Sequence, residues 1–175
     1  PAKATLEQAK TLLETHRPDA AITLLKNFIA SSPDSAYLDD AYLMIAAALS
    51  STKEYAQAVS YLNQLLSEFP KSDLADRARL MLGAAQAQLG NLDLALPALA
   101  EVRSLTSYPG TKREALKLTG DILTRKKDFL RAIQAWLEEL DLAVDEQRTA
   151  PRERIRDLVA GKLLGVTVPE MSARR

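Results

Sequence analysis

The chain has no cysteine and a single histidine, and only 5% of its 175 residues are aromatic. Without cysteine there is no disulfide framework, no thiolate zinc site and no thiol nucleophile. His16 stands beside Pro18 with no second histidine or cysteine to share a metal, so it reads as a surface turn residue. No G-x-S-x-G elbow and no phosphate-cradling glycine loop occurs. No apolar run reaches eighteen residues, the length a membrane span needs, and no stretch of these residues reads as a signal peptide. Lysine and arginine number 23, as do aspartate and glutamate. A net charge of zero argues against a dedicated nucleic-acid binder, whose affinity comes from neutralising phosphates. The adjacent pairs Asp39-Asp40 and Glu138-Glu139 would point about 100° apart on a helix, which suits a solvated face better than acid–base work. Asp141 and Asp145 could share a cation, but two carboxylates alone make a weak site. No catalytic set, metal site or cofactor is expected.

Apolar content is 47% and charged content 26%, ordinary for a folded chain. Alanine and leucine dominate, and both lose little freedom in helices. The stretch Tyr42 to Pro70 reads as two amphipathic helices joined by a tight turn: Tyr42, Ile45, Ala46 and Leu49 mark the first, and Ala58, Leu62, Leu65 and Leu66 the second. One such hairpin cannot bury its own apolar faces, and the chain supplies copies. Small residues recur at Ala9, Ala46, Gly83 and Gly120, 37 apart each time. Ala21, Ala58, Ala95 and Ala132 follow twelve residues later, and Leu25, Leu62, Leu99 and Trp136 four beyond those. Tyr55, Leu92 and Phe129, with Pro18 in the first unit, precede the second small residue. Pro33 and Pro70 close the first two units, and Pro109 closes the third two residues late. Small residues belong where two helices cross closely, and bulky ones a turn away fill the space between hairpins. Proline after the second helix prevents its continuation.

These columns resemble the tetratricopeptide repeat, W-x2-L-G-x2-Y…A-x3-F…P. The second unit matches as Tyr42-x2-Ile45-Ala46-x2-Leu49…Ala58-x3-Leu62…Pro70, the third as Leu82-Gly83…Ala95-x3-Leu99, and the fourth as Leu116-x2-Thr119-Gly120-x2-Leu123…Ala132-x3-Trp136. The departures are Thr5 and Gln8 in apolar columns of the first unit, and Arg79 and Gln86 in packing columns of the third. The resemblance covers about residues 3 to 146 and implies an all-α, right-handed superhelical solenoid of about four helix–turn–helix repeats with a C-terminal capping helix. The linkers SPDSAYLDD, FPKSDLADR and SYPGTKRE look like those of the bacterial envelope subclass, which includes outer-membrane assembly lipoproteins and the N-terminal domains of penicillin-binding-protein activators. That likeness implies a periplasmic or outer-membrane-associated protein with a lipid anchor outside these residues. The alternative is a cytoplasmic multidomain protein. A chain that opens at Pro1 without methionine reads as a processed or excised piece.

Taken in order, helices are expected at about 3–15 and from Pro18 to Ala30, with His16-Arg17-Pro18-Asp19 as the turn between them. Units fall at about 1–33, 34–70, 71–108 and 109–146, a capping helix at 147–165, and a tail or linker to a further domain at 166–175. Lys71-Ser72-Asp73 is a good cap, Gly90-Asn91 a turn, and Pro97 requires an early helical turn or a kink. In the cap, Ile155, Leu158, Val159 and Leu163 form one apolar face, and Asp157 at the next small-residue position breaks the repeat register.

The resemblance also implies that the first helix of each hairpin lines a concave surface. That groove comprises Asp40, Met44, Ala47 and Ser51, then Arg77, Met81, Ala84 and Gln88, then Leu118, Asp121 and Arg125. Methionine adapts to varied partners, although Met44 and Met81 could equally pack between hairpins. The columns in which relatives carry a carboxylate-gripping Lys and Asn hold Leu43, Leu80, Ala47 and Ala84, so that clamp is not expected. The runs Lys112 to Lys117 and Arg125 to Asp128 mix signs, which reads as helix solvation; Arg148, Arg152, Arg154 and Arg156 read as a solubilising cap or as contacts to an anionic surface. The expected function is a non-catalytic scaffold for a protein or peptide partner in outer-membrane or peptidoglycan assembly. The competing expectation is a structural module that self-associates, as a homo-oligomer through Leu158 and Val159, or links domains.

Overall fold

The computed structural model describes residues 2–161, and among them every regular element is a helix. The helices are α1 (Ala2–Glu14), α2 (Pro18–Ser31), α3 (Leu38–Ser51), α4 (Tyr55–Glu68), α5 (Ala75–Gln88), α6 (Leu92–Leu105), α7 (Pro109–Arg125), α8 (Phe129–Leu142) and α9 (Thr149–Val159), with a 3-10 turn at Asp145–Gln147 before α9. Consecutive pairs form hairpins: α1 with α2, α3 with α4, α5 with α6, and α7 with α8. The second helices begin at Pro18, Tyr55, Leu92 and Phe129, each 37 residues after the last.

The same period appears in the turns. His16, Lys53, Gly90 and Lys127, again 37 apart, all have positive φ, of 56°, 65°, 82° and 62°. At each, the following amide reaches back five residues: Arg17 N–H to Leu12 O at 2.8 Å, Glu54 to Leu49 at 2.8 Å, Asn91 to Gln86 at 2.9 Å and Asp128 to Leu123 at 2.9 Å. The left-handed residue itself donates to the carbonyl three back. This is the Schellman closure, in which a left-handed residue lets the chain satisfy the last orphan carbonyls of a helix. Only Gly90 adopts that conformation without a Cβ penalty. The turn at Gly90-Asn91 was legible from its glycine. The turn at His16-Arg17-Pro18-Asp19 was legible too; what the sequence did not show is the left-handed backbone at His16, Lys53 and Lys127, none of which is glycine.

The small-residue columns sit at the helix crossings. Ala9, Ala46, Ala21, Ala58, Ala95 and Ala132 are all fully buried, as are Leu25, Leu62 and Leu99, and Trp136 is 1% exposed. A Cβ placed on Gly83 would lie 2.7 Å from Leu99 Cγ, and one on Gly120 would lie 2.6 Å from Trp136 Cδ1. An added methyl would therefore force Leu99 to shift at Gly83 and would collide with the Trp136 ring at Gly120. Trp136 fills its column with the largest side chain in the core, and Gly120 is its counterpart.

The polar departures pair with one another. Tyr42 accepts a hydrogen bond from Gln64 at 2.8 Å and packs its ring against Tyr61 and Phe69. One period later Arg79 stands in the Tyr42 column and Glu101 in the Gln64 column, with Arg79 Nε donating to Glu101 at 2.9 Å. Gln86 accepts from Asn91 at the end of its own helix. The linkers also repeat: Ser35 Oγ accepts from the Tyr37 amide, and Ser72 Oγ accepts from the Leu74 amide while donating to Asp39 Oδ2 at 2.6 Å. Pro97 is accommodated in the second turn of α6, on its exposed side.

Three local expectations are revised. Pro109 does not close the third unit; it is the first residue of α7, where a missing N–H costs nothing and the fixed φ suits the helix. Asp157 does not take α9 out of step. Thr149 follows the start of α5 at Ala75 by 74 residues, two periods, so α9 begins where the first helix of a fifth hairpin would. Its apolar face is divided, with Leu158 buried and packed, Ile155 half-buried and Val159 65% exposed; Leu163 lies outside the described residues, as does the tail at 166–175. The chain divides into two compact units, Pro1–Ser107 with α1 to α6 and Tyr108–Arg175 with α7 to α9.

Candidate protein-interaction surfaces

In the first unit, α1 lies beside α3 and α3 beside α5, so the first helices form one continuous layer. Side chains three or four apart on a helix share a face. On α3 the stripe Asp40, Met44, Ala47 and Ser51 runs from half-buried to exposed, and on α5 Met81 and Ala84 are half-buried between exposed Arg77 and exposed Gln88. Met44 and Met81 touch the core on one side and are half open on the other. Near the turns, Leu13, His16 and Pro18 face Ala47, Ala48, Ser51 and Thr52 across a hollow of about 410 Å³. Leu43 and Leu80, in the columns where a carboxylate clamp would need polar groups, are buried apolar residues.

The other end of the stripe is acidic. Burial pushes the Asp40 carboxyl above its ordinary value, and the neighbouring charges of Asp39 and Asp73 push the same way. The layer thus runs from a carboxylate-rich edge, through methionine and alanine, to a small polar hollow. Its side chains are small, apolar or modestly polar.

The second unit is different. A charged cleft of about 690 Å³ lies between α7 and α9, lined by Arg113 and Lys117 from α7, Glu139 from α8, Glu146 and Gln147 from the 3-10 turn, and Glu153 and Arg154 from α9. Arg113 bonds the Gln147 side chain across it. At its floor, Arg154 Nη2 donates to both carboxylate oxygens of Glu139 at 2.8 Å, and its guanidinium lies 5.6 Å from the centre of the Trp136 ring. Arg154 Nη1 is 3.9 Å from Asp121 Oδ1. Burial pushes the Asp121 carboxyl up, while Arg154 and Lys117 pull it back down.

Of the predicted groove residues on α7, Asp121 therefore belongs to this charged network, Leu118 is half-buried and Arg125 is exposed. Three expectations are corrected here. Glu139 is not on a solvated face: it is 3% exposed. Arg154 is not part of an outward basic cluster; it turns inward to Glu139. Arg113 is not merely helix solvation, since it bonds Gln147 across the cleft, whereas Lys117 beside it is exposed as expected. The signal for Glu139 was in the columns. Phe28, Leu65 and Val102 precede it at 37-residue steps, all buried, so a carboxylate there needs a buried partner.

Among the described residues no group of three or more histidine, aspartate or glutamate side chains is placed to hold a metal ion, and no helix is long and apolar enough to cross a membrane. The family model for the tetratricopeptide repeat-like domain matches residues 2–165. The chain belongs to that family. No curated protein matches it by sequence. Solved structures match this tetratricopeptide repeat-like chain over nearly its whole length. MamA (41-end) from Desulfovibrio magneticus RS-1 is 20% identical with a TM-score of 0.76, the match covering 92% of this chain and 85% of that one. A structure titled as Podosopora anserina putative kinesin light chain nearly identical TPR-like repeats is 14% identical with a TM-score of 0.75, covering 93% and 86%. Pseudomonas aeruginosa PilF is 17% identical with a TM-score of 0.75, covering 92% of this chain and 68% of that one. At such identities the likeness is one of fold.

Proposed function

We propose that this chain is a non-catalytic scaffold that binds a protein or peptide along the first-helix layer of its first unit. The observation that carries the reading is the half-open stripe of Met44, Ala47, Met81 and Ala84, apolar yet unfilled, between the charged ends at Asp40 and Arg77 and the polar ends at Ser51 and Gln88. A surface of small and adaptable side chains suits an extended partner better than a rigid ligand. The setting we propose is the bacterial cell envelope, as part of a lipid-anchored protein acting in outer-membrane or peptidoglycan assembly; the linkers SPDSAYLDD and FPKSDLADR support it.

The test is cross-linking of the whole protein in its own cells, comparing the natural chain with Arg77→Glu, Ala84→Arg and Arg125→Glu. Loss of the same cross-linked partners in the α5 variants, with unchanged helical content, is expected. Unaltered cross-links in Arg77→Glu and Ala84→Arg would remove this layer as the binding face. Cell fractionation tests the setting: recovery in the periplasmic or outer-membrane fraction is expected, and recovery in the cytoplasm overturns it.

A further inference from the structure

The outward side of α8 departs from its counterparts. Leu130 is 84% exposed and Leu137 is 48% exposed, seven residues apart on one helix face, with exposed Gln134 and Asp141 between and beyond them. The positions equivalent to Leu130 in the other second helices are Asp19, Ala56 and Asp93, and those equivalent to Leu137 are Lys26, Asn63 and Ala100, all exposed. Only the fourth hairpin carries large apolar groups there. Charge is also unevenly placed along this side: Lys127 stands exposed in the turn just before the helix and Arg131, ion-paired with Asp128, in its first turn, whereas Asp141 stands exposed near its end.

We propose that this stripe pairs with α8 of a second copy of the chain, the two helices running antiparallel. The spacing is self-complementary. With a two-fold axis between Ile133 and Gln134, Leu130 of one copy meets Leu137 of the other, and the reverse contact forms by symmetry. The same arrangement brings Lys127 of each copy to the Asp141 end of the other, so opposite charges meet at both ends and the helix dipoles oppose favourably. A parallel pairing would set like charges together. A contact of two leucine pairs buries less than the roughly 1,200 Å² of stable interfaces, so the pair is a weak, concentration-dependent dimer. The surface is separate from the first-helix layer of the first unit, and the dimer does not depend on that layer binding anything. It also replaces Leu158 as the expected self-association contact, because Leu158 is buried within the second unit.

The experiment is sedimentation equilibrium on the whole chain. A reversible monomer–dimer equilibrium with a midpoint on the order of 0.1 mM is expected. Leu130→Glu should raise that midpoint at least about tenfold, and Lys127→Glu or Asp141→Lys alone by about threefold. The double variant Lys127→Glu with Asp141→Lys should restore it. Circular dichroism of each variant confirms that these exposed changes leave the helices intact. A monomer up to about 1 mM, a dimer indifferent to Leu130→Glu, or a failure of the double variant to recover would each overturn the proposal. So would a strictly monomeric chain whose Leu130 stripe instead takes up an added amphipathic peptide.

Discussion

Arg154 and Glu139 meet inside the second unit through one guanidinium nitrogen held between both carboxylate oxygens, at 2.8 Å from each. The glutamate side chain is 5% exposed and the arginine 19%. The pair ties α9 to α8 where the preceding hairpins use Leu65 and Val102. Removing one partner strands the other charge. Arg154→Ala should therefore destabilise the second unit by about 3–5 kcal/mol, whereas replacing both, Glu139→Leu with Arg154→Met, should cost far less or nothing. Urea unfolding of the three chains measures this. Equal losses in the single and double variants would contradict it.

The left-handed turn residues give a second set of expectations. His16→Gly, Lys53→Gly and Lys127→Gly should each stabilise the chain by about 0.5–1 kcal/mol, because glycine has no Cβ to strain at positive φ. Gly90→Ala should cost about 1 kcal/mol for the same reason. The measurement is the denaturation midpoint at unchanged slope. A loss of stability in all three glycine variants would show that those turns are not strained.

The two crossing glycines should respond unequally to alanine. At Gly83 the neighbour is the Leu99 side chain, and the second hairpin already accommodates Ala46 against Leu62 in the same columns. Gly83→Ala should cost about 1 kcal/mol or less, since the helix gains propensity as Leu99 shifts. Gly120→Ala meets the rigid Trp136 ring and should cost about 3 kcal/mol. Gly120→Ala with Trp136→Leu should recover much of that loss. Thermal unfolding separates the cases, and a Gly120→Ala chain as stable as the natural one would refute the close crossing.

Asp40 and Asp121 set the pH dependence. Both carboxyls are pushed above their ordinary value of 3.8, chiefly by burial. A carboxyl raised in the folded state opposes folding once it is ionised in both states. Its cost is present at neutral pH and is relieved as pH falls through the raised value toward 3.8. Asp40→Asn and Asp121→Asn should each be more stable than the natural chain at pH 7, with the advantage shrinking in acid. Unfolding free energies across that range test the sign, and a deficit at pH 7 would reverse the assignment.

Much of the fold was legible because the columns that define it are chemically extreme. Only a small side chain fits at Ala58 and only glycine at Gly120, so the 37-residue period showed through. The site was less legible, for two physical reasons. Glu139 and Arg154 are 15 residues apart and on different helices, so their pairing is visible only after α9 has docked. In the sequence each stands among like charges, Glu138 beside Glu139 and Arg152 and Arg156 flanking Arg154. Pro109 misled because proline both ends and begins helices, and only the chain's path decides which. Arg79 lost its oddity once Glu101 was seen in the facing column.

The hairpin turns are sealed by main-chain hydrogen bonds, with histidine, lysine, glycine and lysine in the same structural role. The hydrogen bonds of that closure use no side-chain atom at the tip. In the first unit the tips at His16, Lys53 and Gly90 can change their charge, like interchangeable keys on a fixed bow, without the helices behind them having to repack. Whatever approaches the molecule from that side meets a surface tunable one position at a time.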